Sequence, residues 1–598
     1  MVRTPSATAT TFTVGMPRPA THLFEIVMDV APFRHPVSSF DLCLPAWTPG
    51  SYCIRDHARH VRDLAVAGPS GESLAVRKVE KGRWRVSAGT RAVRGPFRVT
   101  YRVYAFELTV RTSHLDGSHG YGNGATLFLH VDGRKGEPQR LRFRLPGGWR
   151  VSVALPRRAG SFLARDYDEL VDSPFECGTH RTFGFRVRGV PHTLALWGEG
   201  NEDPARLVDD LGRLVEAAAG FFGGLPYERY LFLVHLAEGA RGGLEHAASQ
   251  SCGVSPWKFR PESTYREVLA LFAHELFHAW NVKRIRPRAL GPFDYARETY
   301  LRDLWALEGL TSYYEHLLLV RSGLEEPKHA LEAWAKEIKE HRDTPGHRVQ
   351  SVEEASFDAW IRFYRPDENS LNVSESYYRR GSLVALALDL TIRAGTGGRR
   401  SLDDVLLGLW RRWGSRGRPY PDGAWEAEAV RVGGADVTRF FDRYVRGVET
   451  PRFEELLPAV GLLLRERPEK DGEAGGEAEG VRERADFGWK TRMEGGRLVV
   501  AEVYEGRAAY AAGVSAADEL VAIDGARADE EQLRRIARDL PPGRVVGLHL
   551  FRRGRLLDLP LSLDSRRAFA YEIVPDPSAP ASAKALLEGW LRAPIPVP

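Results

Sequence analysis

His274-Glu275-Leu276-Phe277-His278 is the stretch whose residue types and spacing could do chemistry. At roughly 100° per residue, a helix brings positions i and i+4 onto one face. Two neutral imidazoles placed that way can hold one zinc ion, each nitrogen at about 2.0–2.1 Å. Glu275 then projects beside the metal, where a carboxylate can take a proton from an attacking water. A catalytic zinc keeps one open position and needs a third protein ligand. Glu308 is the best candidate, in Trp305-Ala-Leu-Glu308-Gly-Leu-Thr-Ser-Tyr-Tyr-Glu315. Gly309 follows it directly, and the missing side chain there would let two helices approach. Glu315 lies two helical turns after Glu308, so it shares that face and could orient a ligating histidine.

The surrounding periodicity shows what must hold these groups. A helix is expected from about Ser263 to Val282 and another from Tyr300 to Val320. Pro204–Phe222 repeats apolar residues at helical spacing and stops at Gly223-Gly224. Tyr230–Leu236 reads as an apolar strand, and a second strand around Leu244–Val254 would leave an edge able to pair with an extended peptide. Residues 1–195 alternate apolar and polar side chains, as in 22–30, 97–104 and 181–188, which predicts a β-sandwich-like or saddle-shaped domain. The fold class is therefore multidomain α+β. A catalytic part is expected over 196–325 and a helical domain over 326–465. A charged, solvated linker follows at 466–484, then a small β unit at 485–565 and a proline-rich tail at 566–598.

Composition narrows the function classes. The net charge of +5, from 84 basic and 79 acidic residues, gives no argument for nucleic acid. No apolar run of about 18 residues suggests a membrane span, and the N-terminal residues lack the apolar core of a secretory leader. Cys43, Cys53, Cys177 and Cys252 are sparse and form no C-x-x-C pair, so reduced thiols in a cytoplasmic protein are expected.

The run from His274 to Pro287, with Trp305–Tyr314, Leu44-Pro-Ala-Trp-Thr-Pro-Gly-Ser-Tyr52 and the small β unit, resembles the glycyl aminopeptidases that carry a PDZ domain. These are gluzincins related to aminopeptidase N and, more remotely, to thermolysin. The resemblance covers almost the whole chain. It implies a thermolysin-like catalytic domain and one zinc ion held by His274, His278 and Glu308. Glu275 would be general base and then proton shuttle.

Gly242-Gly-Leu-Glu-His246 resembles the aminopeptidase G-x-M-E-N strand, with His246 in place of asparagine. By that resemblance Glu245 binds the substrate's free α-amino group, and a carboxylate near the metal suits an ammonium. His246 is expected to be a buried, hydrogen-bonded histidine. Ser376-Tyr-Tyr-Arg-Arg-Gly-Ser-Leu383 resembles the Tyr-x-Lys-Gly motif, which makes Tyr378 the oxyanion donor, with Tyr377 its rival and Arg380 replacing the lysine.

The basic run Lys283–Arg288 reads first as helix capping and packing, and His235, His316 and His341 read as structural. The β unit from Asp486 to Leu563 resembles a PDZ domain, with Phe487-Gly488-Trp489 as its carboxylate loop. The implied activity is removal of small N-terminal residues, glycine or alanine, from peptides with a free N-terminus. A PDZ peptide ligand would be a further partner. The alternatives are a zinc endopeptidase without exo-specificity and a catalytically vestigial PDZ peptide-binding adaptor.

Overall fold

The computed structural model describes residues 9–88, 92, 94–469 and 481–592. They divide into two compact units, the first built mainly from Met1–Tyr300 and the second mainly from Glu326–Val405 and Trp425–Pro598.

In the first unit, the alternating segments become strands because one face of each can be buried. Leu23–Val30 and Phe97–Tyr104 pair antiparallel, with Ile26 opposite Tyr101, inside an eleven-stranded sheet. A separate four-stranded sheet contains Arg150–Val153, Phe175–Gly178, His119–Gly122 and His114–Leu115. Phe24, Val99, Leu115 and Phe175 lie in one apolar core, so the two sheets share it.

A third, five-stranded sheet stands under the histidine helix. Tyr230–Leu236, buried along its whole length, runs parallel between Val190–Trp197 and Ser249–Val254. Gly243–Glu245 pairs antiparallel with Ser249–Val254 and forms the edge. The single strand expected around Leu244–Val254 is thus a pair of strands, and the edge is where it was expected. Arg181–Val187 and Val190–Trp197 also belong to this sheet, not to the N-terminal sheets with which residues 181–188 were read. A period of two marks a half-buried strand but does not say which sheet it joins.

Helix α1 (Pro204–Phe222) starts on the Asp203 cap and ends at Gly223. Helix α2 (Glu262–Phe277) is shorter than expected and ends at His278, whose amide bonds to the His274 carbonyl. The Trp280 ring stacks on Phe222 of α1 at 4.8 Å, which fixes the exit of α2.

A π-helical turn, Trp305–Gly309, runs into helix α3 (Leu310–Arg321). In the second unit, helix α4 (Arg379–Thr396) is buried on nearly all sides. The C-terminal β unit is a six-stranded sheet with the helix Glu530–Asp539 and a core of Val500, Ile523, Val546 and Leu548. Asn372 exchanges hydrogen bonds with Val503 O (2.9 Å) and Glu505 N (2.9 Å), tying this unit to the segment ahead of Tyr377.

The linker expected at 466–484 begins and ends in strands. Leu462–Pro468 and Arg482–Asp486 both pair with Asp564–Pro575, and residues 470–480 lie outside the described residues. Charged side chains suit these strands because they form cross-strand pairs, such as Arg567 with Glu466 at 3.2 Å. The expected tail carries most of that long strand and a helix, Ala581–Leu591. Its Trp590 is buried, stacks on Trp334 at 5.3 Å and donates to Tyr313 Oη at 2.8 Å. Among the described residues, no helix is long and apolar enough to cross a membrane.

Candidate active site

His274 and His278 leave α2 on one face, their ring centroids 4.7 Å apart. His274 Nδ1 lies 2.7 Å from Glu315 Oε2, and His278 Nδ1 lies 2.8 Å from the Asn281 carbonyl oxygen. A carbonyl and an ionised carboxylate only accept, so each Nδ1 carries the proton and donates it. Each Nε2 therefore presents a lone pair, the tautomer a metal ligand needs. This gives a donor set that fits zinc: two imidazole nitrogens already oriented, with carboxylates beside them.

Glu245, Glu275 and His278 can each bring one ligand atom to within 4.8 Å of one another. Glu275 is buried, and its carboxylate lies against Gly243 of the edge strand. Glu245 is two residues further along that strand and is also buried. Gly50 packs directly on it: a Cβ there would stand 2.6 Å from Glu245 Oε2, and the backbone sits at φ +89°. The loop Leu44–Tyr52 thus closes over the carboxylate.

Lys283 belongs to the basic run expected to cap the helix. The structure turns it inward, with Nζ 3.0 Å from Asp172 Oδ1 and 3.7 Å from Glu245 Oε1. Burial works against its charge, but Asp172 and Glu245 hold its pKa above the ordinary lysine value. Asp172 also takes bonds from His246 Nδ1 (3.1 Å) and the Ala247 amide (2.8 Å). Burial opposes ionisation there too; Lys283 and His246 still hold the Asp172 carboxyl well below the usual range. Neither Lys283 nor Asp172 carries a sequence signal for this, because they meet from distant segments. A cavity of about 690 Å³ opens beside them, lined by Gly50, Tyr52, Glu245, Asp172 and Lys283.

Glu308 is buried in the π-helical turn. A Cβ on Gly309 would stand 2.4 Å from Gly381 Cα and 2.6 Å from the Tyr377 carbonyl, so the turn crosses the start of α4 at glycine-to-glycine distance. Tyr378 is the residue before α4, half-buried, with the Phe363 ring stacked at 5.4 Å. Tyr377 is fully buried. Arg380 is buried too and donates to the carbonyls of His347, Gln350 and Gly447, so it braces the backbone. His316 and His341 bond to Glu325 (3.1 Å) and Glu375 (2.8 Å).

The chain matches the Peptidase M61 N-terminal domain over residues 11–179 and the M61 glycyl aminopeptidase over residues 267–384. A crystal structure described as an aminopeptidase N family protein from Idiomarina loihiensis is 31% identical, covers 97% of this chain and 100% of its own, and superposes with a TM-score of 0.89. The M1 zinc metallopeptidase from Deinococcus radiodurans is 17% identical over 74% of this chain and 95% of its own, at a TM-score of 0.49. No curated protein matches.

Proposed function

The chain belongs to the M61 glycyl aminopeptidase family and is a metallopeptidase, and from that premise we propose that it is a zinc-dependent aminopeptidase acting on peptides with small N-terminal residues, glycine or alanine. The observation that carries the reading is the pair of histidines on α2. Glu315 and Asn281 take both Nδ1 protons, which sets each imidazole in the tautomer whose Nε2 can ligate a metal.

His274, His278 and Glu308 would hold one zinc ion. Bound there, zinc would polarise the scissile carbonyl and the attacking water. Glu275 takes the water's proton and passes it to the leaving nitrogen. Tyr378 donates to the tetrahedral oxyanion; its partial exposure favours it over the fully buried Tyr377. Glu245 pairs with the substrate ammonium and so sets the cut one residue from the N-terminus. Its place on the edge strand beside Glu275 and His278 supports that role.

We read residues 485–565 as a PDZ domain with a peptide ligand of its own. In support, Phe487-Gly488-Trp489 leads straight into Trp489–Glu494, which stands at the edge of its sheet among the described residues. A cytoplasmic location is part of the proposal, in keeping with the four free cysteines.

The test is zinc content together with hydrolysis of glycyl and alanyl arylamides. One zinc at this site and activity abolished by Glu275→Gln are expected. Full activity of Glu275→Gln, or turnover by zinc-free protein, would overturn the peptidase mechanism. Cleavage of N-terminally blocked peptides, undiminished by Glu245→Ala, would instead make it an endopeptidase.

A further inference from the structure

A second group of histidines lies in the N-terminal β part. The turn His114-Leu-Asp-Gly-Ser-His119 joins two strands of the four-stranded sheet. Asp116 Oδ1 accepts from the Ser118 amide (2.7 Å), the Ser118 hydroxyl (2.6 Å) and the His119 amide (3.1 Å), which holds the turn. Its other oxygen, Oδ2, stands 3.1 Å from His114 Nε2.

The protons decide what that contact is. His114 Nδ1 lies 2.7 Å from the Phe106 carbonyl, which only accepts, so Nδ1 carries the hydrogen. In neutral His114, Nε2 is then a lone pair pointing at a carboxylate. Two acceptors at 3.1 Å repel unless a cation stands between them. His119 repeats the pattern: Nδ1 donates to Glu176 Oε1 at 2.8 Å, leaving Nε2 as the acceptor. That Nε2 is buried and has no hydrogen-bond partner among the described residues. The ring cannot turn away, because it is fully buried and stacked on Trp197 at 3.6 Å. The second oxygen of Glu176 is held by His235 Nε2 at 3.0 Å. His114, Asp116 and His119 offer ligand atoms all within 4.8 Å of one another.

We propose that His114, Asp116 and His119 form a second metal site, for one divalent cation of the zinc type. Two imidazole nitrogens and a carboxylate oxygen are the donors such an ion selects. Glu176 and the Phe106 carbonyl orient the ligating rings, as Glu315 and Asn281 orient those of α2. Asp116 keeps 35% of its side chain exposed, which leaves an entry path and a place for water. A metal here would pin the hairpin to the strand Phe175–Gly178, against which His119–Gly122 is paired.

The test uses the full chain carrying His274→Ala and His278→Ala, titrated with zinc alone by calorimetry. One equivalent should bind. Adding Asp116→Asn, which keeps the turn acceptor, should weaken it at least ~10-fold, and Glu176→Gln by about 10–100-fold. Thermal melts of each variant show whether the fold is kept. No zinc bound by the doubly substituted chain, or binding unchanged by Asp116→Asn and Glu176→Gln, overturns the site. A proton found on His114 Nε2 by NMR in the presence of excess zinc would do the same, because the contact would then be an imidazolium–carboxylate pair.

Discussion

His274 Nδ1 donates to Glu315 Oε2 across 2.7 Å, from α2 to α3. The bond sets the ring's tautomer and its direction together, so metal affinity should depend on a residue that need not touch the metal. Glu315→Ala is expected to lower zinc affinity about 10–100-fold, measured by competition with a chelator. Glu315→Gln, which can still accept the Nδ1 proton, should lose less. Equal affinities for wild type and Glu315→Ala would remove the positioning role.

Gly309 and Gly381 let the Glu308 turn meet the start of α4. Gly309→Ala puts a methyl 2.4 Å from the Gly381 Cα, where backbone must move. Overpacking of this kind costs about 1–3 kcal/mol. Urea denaturation should show that loss, and zinc affinity should fall with it because Glu308 sits on the displaced turn. A variant as stable as wild type would show that the crossing has room.

Gly50 covers the Glu245 carboxylate at positive φ. Gly50→Ala should raise KM for glycyl arylamides more than it lowers kcat, since it disturbs the Glu245 side and not Glu275. The left-handed backbone adds about 1–2 kcal/mol of strain. If kcat falls and KM holds, Glu245 is not the amine anchor.

His57 is buried, and burial drives its pKa from 6.5 down to about 3. Above pH 6.5 it is neutral whether folded or unfolded and has no effect on stability. As the pH falls from 6.5 toward 3, the unfolded chain takes up a proton that the folded chain refuses, so stability falls. The slope is at most about 1.4 kcal/mol per pH unit from this group. His57→Gln should flatten the loss of melting temperature across that window. An unchanged slope would mean that other groups set the acid limit.

The sequence by itself determined the local parts. The spacing of His274 and His278 needs only a helix. The glycine after Glu308 signals a close crossing, and the alternation of residues 22–30 and 97–104 signals half-buried strands. The family resemblance carried by His274–Pro287, Trp305–Tyr314 and Leu44–Tyr52 is borne out by the matched domains. Tertiary structure decided the rest, because each remaining feature joins segments far apart in the chain.

Residues 181–197 alternate as any half-buried strand does, and only pairing put them in the sheet under α2. The charged ends of the expected linker became strands because Asp564–Pro575 supplied partners. Lys283 lay in a basic run of ordinary appearance until Asp172, 111 residues earlier, and Glu245 were folded against it. His119 acquired its proton placement from Glu176, which no local spacing reveals. Spacing along a helix is fixed by backbone geometry; which proton a histidine keeps is fixed by the acceptor that the fold brings to it.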